Sequence, residues 1–109
     1  MDNHTVTVYR HPNPEIRSFL TTIDLSAPRV EYFKSPLTQE DDASLRPLGL
    51  IGAQMVRDIL AVEGVLELRI KPKEIRVKKE LSSSWEQIET QILEVVQRAI
   101  KKKKFKVIK

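Results

Sequence analysis

Polar and apolar positions along this chain follow two rhythms. A period of two appears near the N-terminus and again past the midpoint, and a helical period runs through two longer stretches. Thr5 to Tyr9 alternates β-branched or aromatic residues with polar ones, which predicts a first strand. His11-Pro12-Asn13-Pro14 must end it, because each proline fixes φ, lacks an N–H and pushes the residue before it out of the helical region. Ile16 to Ile23 predicts a second strand, in which Ile16, Ser18 and Leu20 share one face and Arg17, Phe19 and Thr21 the other. The pattern leaves open which face is buried. Val30 to Phe33 reads as a further extended piece, and Thr38 to Arg46, with Glu40, Asp41 and Asp42 in a row, as an exposed loop.

From Leu48 to Val62, Ile51, Met55, Ile59 and Val62 recur at helical spacing, with Val56 and Leu60 widening the stripe. Gly64 stands where such a helix would stop at a left-handed residue, and close packing of the helix accounts for Gly49 and Gly52. Val65 to Lys79 predicts a hairpin turning at Lys71-Pro72-Lys73-Glu74. That turn sets Ile70 opposite Ile75 and Leu68 opposite Val77. On the wet face it sets Glu67 opposite Lys78, a pair worth about 0.2–1 kcal/mol. It also sets Arg69 opposite Arg76, either solvated like charges or a weak anion site. Ser84 with Gln87 three residues on offers a capping box, and Trp85, Ile88, Ile92, Val95, Val96, Ala99 and Ile100 form one apolar stripe. A last helix from about Trp85 to Lys102 follows. Two amphipathic helices must cover one face of a largely antiparallel sheet, so the expected fold class is α+β, a two-layer sandwich.

Charge and composition narrow the function classes. Six of the 19 basic residues lie in the last nine positions, so residues 1–100 hold 13 basic against 15 acidic side chains. We therefore read 1–100 as one domain and 101–109 as a lysine-rich tail. Lys101, Lys102, Lys103, Lys104 and Lys106 are the candidates if the chain binds nucleic acid or an anionic surface, and such binding would fall steeply with salt. Phe105 to Ile108 also permits a short edge strand. With no cysteine, the chain has no disulfide, thiolate nucleophile or cysteine-held cluster of its own. The N-terminus lacks an apolar export signal, and no uncharged run approaches the ~20 residues of a membrane span, so a cytoplasmic protein is expected. His4 and His11 show no metal-ligand spacing with Asp2 or Glu15. Ser82 to Ser84 lack a nucleophile elbow and a paired histidine, and the acidic run lacks calcium-loop spacing. No nucleotide loop follows Gly49 and Gly52, for want of a lysine and hydroxyl. An enzyme is not expected, and no cofactor is assigned.

Several segments, in order, resemble one family. His11-Pro12-Asn13-Pro14 followed by Arg17-Ser18-Phe19 resembles the opening of the NifU-like (Nfu) scaffold N-terminal domain. Ser35-Pro36-Leu37, Val62-Glu63-Gly64-Val65, Ile75-Arg76-Val77-Lys78-Lys79 and Trp85 resemble later segments of the same domain. The resemblance spans about residues 5–100. His11 stands where that family has threonine, and residues 38–47 look like an insertion. The family's cluster-binding Cys-x-x-Cys lies in a separate C-terminal domain, which this sequence lacks. The resemblance implies a stand-alone α+β module linked to iron–sulfur cluster assembly or delivery, a monomer that contacts assembly or client proteins. His11, Pro12, Asn13, Pro14 and Arg17 form the expected partner surface. A rigid corner joining two strands is the alternative for that loop.

Overall fold

A computed structural model of the chain describes residues 6–107 of the backbone and the side chains of 6–103. Five strands form one antiparallel sheet: β1 (Thr7–Arg10), β2 (Ile16–Leu20), β3 (Glu31–Lys34), β4 (Val65–Lys71) and β5 (Glu74–Lys79). Their spatial order is β1-β2-β5-β4-β3, so the β4–β5 hairpin is central and the N-terminal strands flank it. The helices are α1 (Asp42–Leu45), α2 (Leu50–Leu60) and α3 (Trp85–Val107). The expected α+β class and antiparallel sheet stand.

The hairpin register is the one the alternation requires. Ile70 pairs with Ile75, Leu68 with Val77, Glu67 with Lys78 and Arg69 with Arg76. An irregularity between Val65 and Glu67 shifts the pairing beyond that point. Pairing of Phe19 with Ile75 settles the face that β2 left open. Phe19, Ile75, Val77, Leu68, Ile70 and Phe33 all turn inward and share one apolar core with Met55, Val56 and Ile59 of α2 and Ile88, Ile92 and Val96 of α3. Both long helices thus cover the same side of the sheet, and Ser18, Arg69, Arg76 and Tyr32 lie on the other.

Strand β2 stops at Leu20 rather than Ile23. The Thr21 and Leu25 amides there donate to the Lys73 and Pro72 carbonyls at 2.9 and 2.8 Å. The connection to β3 is strapped across the hairpin turn instead of continuing the ladder. The Ser35–Pro36 peptide bond is cis.

Residues 38–46 are not a loop. A 3₁₀ turn at Gln39–Asp41 leads into α1, and a second at Arg46–Leu48 carries Pro47, whose missing N–H is tolerated in a first turn. Leu45 and Leu48 are each only 2% exposed and anchor this segment in the core. The acidic run belongs to a helical start, where carboxylates suit the exposed N–H groups, and Asp41 accepts a 2.8 Å bond from the Thr38 amide. A run of charge hid the apolar anchor Leu45, three residues before Leu48.

Helix α2 begins two residues later than its apolar stripe suggested and ends at Leu60. Gly64 therefore lies beyond its C′ position. With φ +97° it sits third in the turn closed by Val65 N–H to Val62 C=O at 3.2 Å, where type II turns require glycine. Close packing accounts for Gly52, where an added Cβ would approach the Ser26 Cβ to 2.8 Å. It does not account for Gly49, which precedes α2 with φ +92° and open space around it. Ser84 caps α3 through a 3.2 Å bond from the Glu86 amide. The helix runs on through Val107, so Phe105 to Val107 form no edge strand; Ile108 and Lys109 lie outside the described residues.

Candidate functional site

The turn between β1 and β2 is built by its own polar groups. Asn13 Oδ1 accepts from the Glu15 amide at 2.9 Å, the Asn13 carbonyl from the Ile16 amide at 3.0 Å, and the Ile16 carbonyl from the His11 amide at 3.3 Å. The first is the local Asx bond that suits asparagine to turns. Pro12, Asn13 and Pro14 are exposed, and His11 is half-buried.

Trp85, the first residue of α3, fixes this turn from the helix side. Its Nε1–H donates to the Pro14 carbonyl at 2.8 Å, and the Arg17 guanidinium lies 5.0 Å from its ring centroid. Arg17 is also ion-paired to Glu89, one turn further along α3. Pro14 and Arg17 therefore meet on one indole. Arg17, with a side chain 17% exposed, has both its charge and its flat face engaged.

His11 faces the opposite side. Its ring meets Tyr9 edge-on at 4.8 Å, and its Nε2 is 2.9 Å from the Ser18 hydroxyl. Ser18, 1% exposed, donates to Glu74 Oε2 at 2.9 Å. Since that hydroxyl gives its hydrogen to Glu74, His11 must be the donor to Ser18. Arg69 closes the chain, its terminal nitrogen 3.1 Å from the same Glu74 oxygen. A polar thread thus runs from the turn across the open sheet face: His11, Ser18, Glu74, Arg69.

Sequence reasoning singled out His11 and Arg17 but not Ser18, Glu74 or the double role of Trp85. The signal for the first two was the face of β2, which became readable only once its partner strand was known. Arg69 and Arg76 do stand opposite each other as the hairpin register requires. They are half-buried rather than freely solvated, and both Nε atoms are enclosed without a hydrogen-bond partner. Glu67 and Lys78 are opposed in register, but no ion pair forms between them among the described residues.

The basic C-terminal segment is remote from this turn. Lys101 lies sixteen residues beyond Trp85 on α3, about 24 Å along the axis at 1.5 Å per residue. Lys101 and Lys102 are exposed and Lys103 is half-buried, while Lys104 and Lys106 lie outside the described side chains. No group of three or more His, Cys, Asp or Glu converges as metal ligands among the described residues. No described helix is long and apolar enough to cross a membrane. His4 and Asp2 lie outside the described residues.

No protein-family model matches the chain, and no curated protein matches it. Solved structures do. The solution structure of a NifU-like protein from Saccharomyces cerevisiae is similar to 90% of this chain and 82% of its own, at 19% identity and a TM-score of 0.65. The crystal structure of protein SAV1430 from Staphylococcus aureus is similar over 84% of this chain and 98% of its own, at 18% identity and a TM-score of 0.62. The fold of this chain is therefore that of a NifU-like protein. At these identities the likeness is one of fold.

Proposed function

We propose that this chain is a non-catalytic protein-interaction module that works in iron–sulfur cluster assembly or delivery. The observation that carries the reading is the likeness to the yeast NifU-like structure over 90% of the chain. It is supported by the ordered segments that resemble the Nfu N-terminal domain, from His11-Pro12-Asn13-Pro14 to Trp85. These 109 residues hold no cysteine, so thiolate ligands for a cluster come from outside them, in this reading from an assembly protein or a client.

The partner surface in this reading is the turn at His11 to Pro14. Two prolines, the Asn13 bonds and the Trp85 tether hold it in one conformation, so little freedom remains to be lost on association. Pro12 and Asn13 present the exposed edge, while His11, Pro14 and Arg17 hold it in place through Ser18 and Trp85.

Affinity capture on the whole chain from its native lysate tests the function. Recovery of cluster-assembly or cluster-receiving proteins supports it, and their absence from the captured set overturns it. Asn13→Ala then tests the surface by NMR titration with the captured partner. Unchanged affinity with an intact amide spectrum moves the contact elsewhere.

A further inference from the structure

On the sheet face opposite α2 and α3, Arg76 carries a positive charge without a counter-ion among the described residues. Ser18 of β2 pairs with it on one side and Arg69 of β4 on the other. Arg76 is half-buried, makes no hydrogen bond or ion pair among the described residues, and has an enclosed, unpartnered Nε. Two carboxylates stand on this face: Glu74 Oε2 is shared between Ser18 at 2.9 Å and Arg69 at 3.1 Å, and Glu67 makes no ion pair among the described residues. A shallow pocket of about 190 Å³ opens here, with Arg69, Arg76, Lys78 and Glu67 in its lining and Ile16 and Tyr32 as apolar walls. Within the lining three cations face one carboxylate, so the pocket is net positive.

Volume, charge and shape select the ligand. The pocket is smaller than the ~300–1,000 Å³ typical of small-molecule sites, and holds one side chain rather than a nucleotide. A net positive lining calls for an anion. A guanidinium fork matches a planar carboxylate with two parallel bonds. Tyr32, 71% exposed on the edge strand β3, offers an aromatic wall for an apolar neighbour of that carboxylate.

We propose that this pocket binds an acidic side chain on an extended, otherwise apolar segment of a partner protein, with Arg76 as the residue that receives the carboxylate. The inference names the chemistry of the partner and rests on the chain being an interaction module.

The test is a titration of the ¹⁵N-labelled whole chain with a blocked peptide, acetyl-Ser-Val-Glu-Val-Ser-amide, and with its Gln counterpart. The Glu peptide is expected to shift the Arg76 and Arg69 Nε–H signals and the Tyr32 amide. The Gln peptide and the Arg76→Gln variant should each bind roughly tenfold more weakly, the scale of one charge-assisted contact. Arg76→Gln must keep the wild-type amide spectrum elsewhere, and Arg76→Lys, which keeps the charge, should lie between. Equal binding of the Glu and Gln peptides overturns the proposal, as does unchanged affinity in Arg76→Gln. Inorganic phosphate moving the same signals more tightly than the Glu peptide would also overturn it. Failure here with successful capture of cluster proteins leaves the proposed function standing. Binding here with no such proteins captured removes that function and leaves the pocket.

Discussion

Trp85 Nε1–H donates to the carbonyl oxygen of Pro14 at 2.8 Å, joining positions 71 residues apart. The first residue of the last helix thereby holds the first turn of the sheet, and its ring also supports the Arg17 guanidinium at 5.0 Å. Trp85→Phe keeps most of the apolar surface and removes the donor. We expect a loss of about 1–2 kcal/mol in urea unfolding, from the orphaned carbonyl and a weaker cation–π contact. Faster amide exchange at His11 and Ile16 should accompany it. Wild-type exchange at both positions would show that the turn holds itself.

Ser18→Ala breaks the polar thread at its buried middle. His11 loses its acceptor and Glu74 one donor, with little change in volume. The expected loss is about 1–3 kcal/mol, read by denaturant midpoint, with a shift in the His11 ring signals. Arg69 still pairs with Glu74, so the hairpin signals at Glu74 and Ile75 should move little.

Leu45→Ala tests whether residues 38–48 belong to the core. Truncating a leucine that is 2% exposed is expected to remove about 2–5 kcal/mol. Glu40→Ala, an exposed position on the same segment, should stay within about 0.5 kcal/mol. Equal effects from the two would return this segment to the status of a surface loop.

Gly64→Ala combines two penalties. The residue sits at φ +97°, and its new Cβ would lie 2.6 Å from Ser83 Oγ and 2.9 Å from Ser83 Cβ. A left-handed conformation alone costs a non-glycine residue about 1–2 kcal/mol, so a larger loss than that is expected by thermal or urea unfolding. Ser83→Gly in the same chain should recover most of the steric part, leaving the 3.0 Å approach to Ile88 Cδ1 and the backbone part.

The elements that could be read from sequence were those with an unbroken rhythm. Val65 to Lys79 revealed even its register, because Ile70, Ile75, Leu68 and Val77 admit a single pairing with apolar residues on one face. The stripe from Trp85 to Ile100 was equally plain. Legibility failed where a local signal competed with packing. Glu40, Asp41 and Asp42 masked Leu45, and Gly64 resembled a helix end when it serves a turn, three residues beyond the cap at Ala61. Strand order was illegible for another reason: periodicity assigns faces, and only the contacts of Phe19 and Phe33 assign neighbours. For the candidate site, the Arg69–Arg76 opposition was visible in the hairpin pattern. The thread through Ser18 and Glu74 was not, since it depends on β2 lying beside β5.

The strand order β1-β2-β5-β4-β3 has a bearing on synthesis. The middle of the sheet is translated last among its strands, and the flanks are made first. While the ribosome is still adding residues up to Lys79, Phe19 and Phe33 have left it without the strands they pack beside, and their apolar rings stay wet. At that stage β1 and β2 have only each other to pair with, β3 has no partner strand, and the five-stranded sheet is complete only when β4 and β5 emerge between them. Any product that stops short of Lys79 would expose the flanks without a centre, the form most open to chaperones, proteases and self-association.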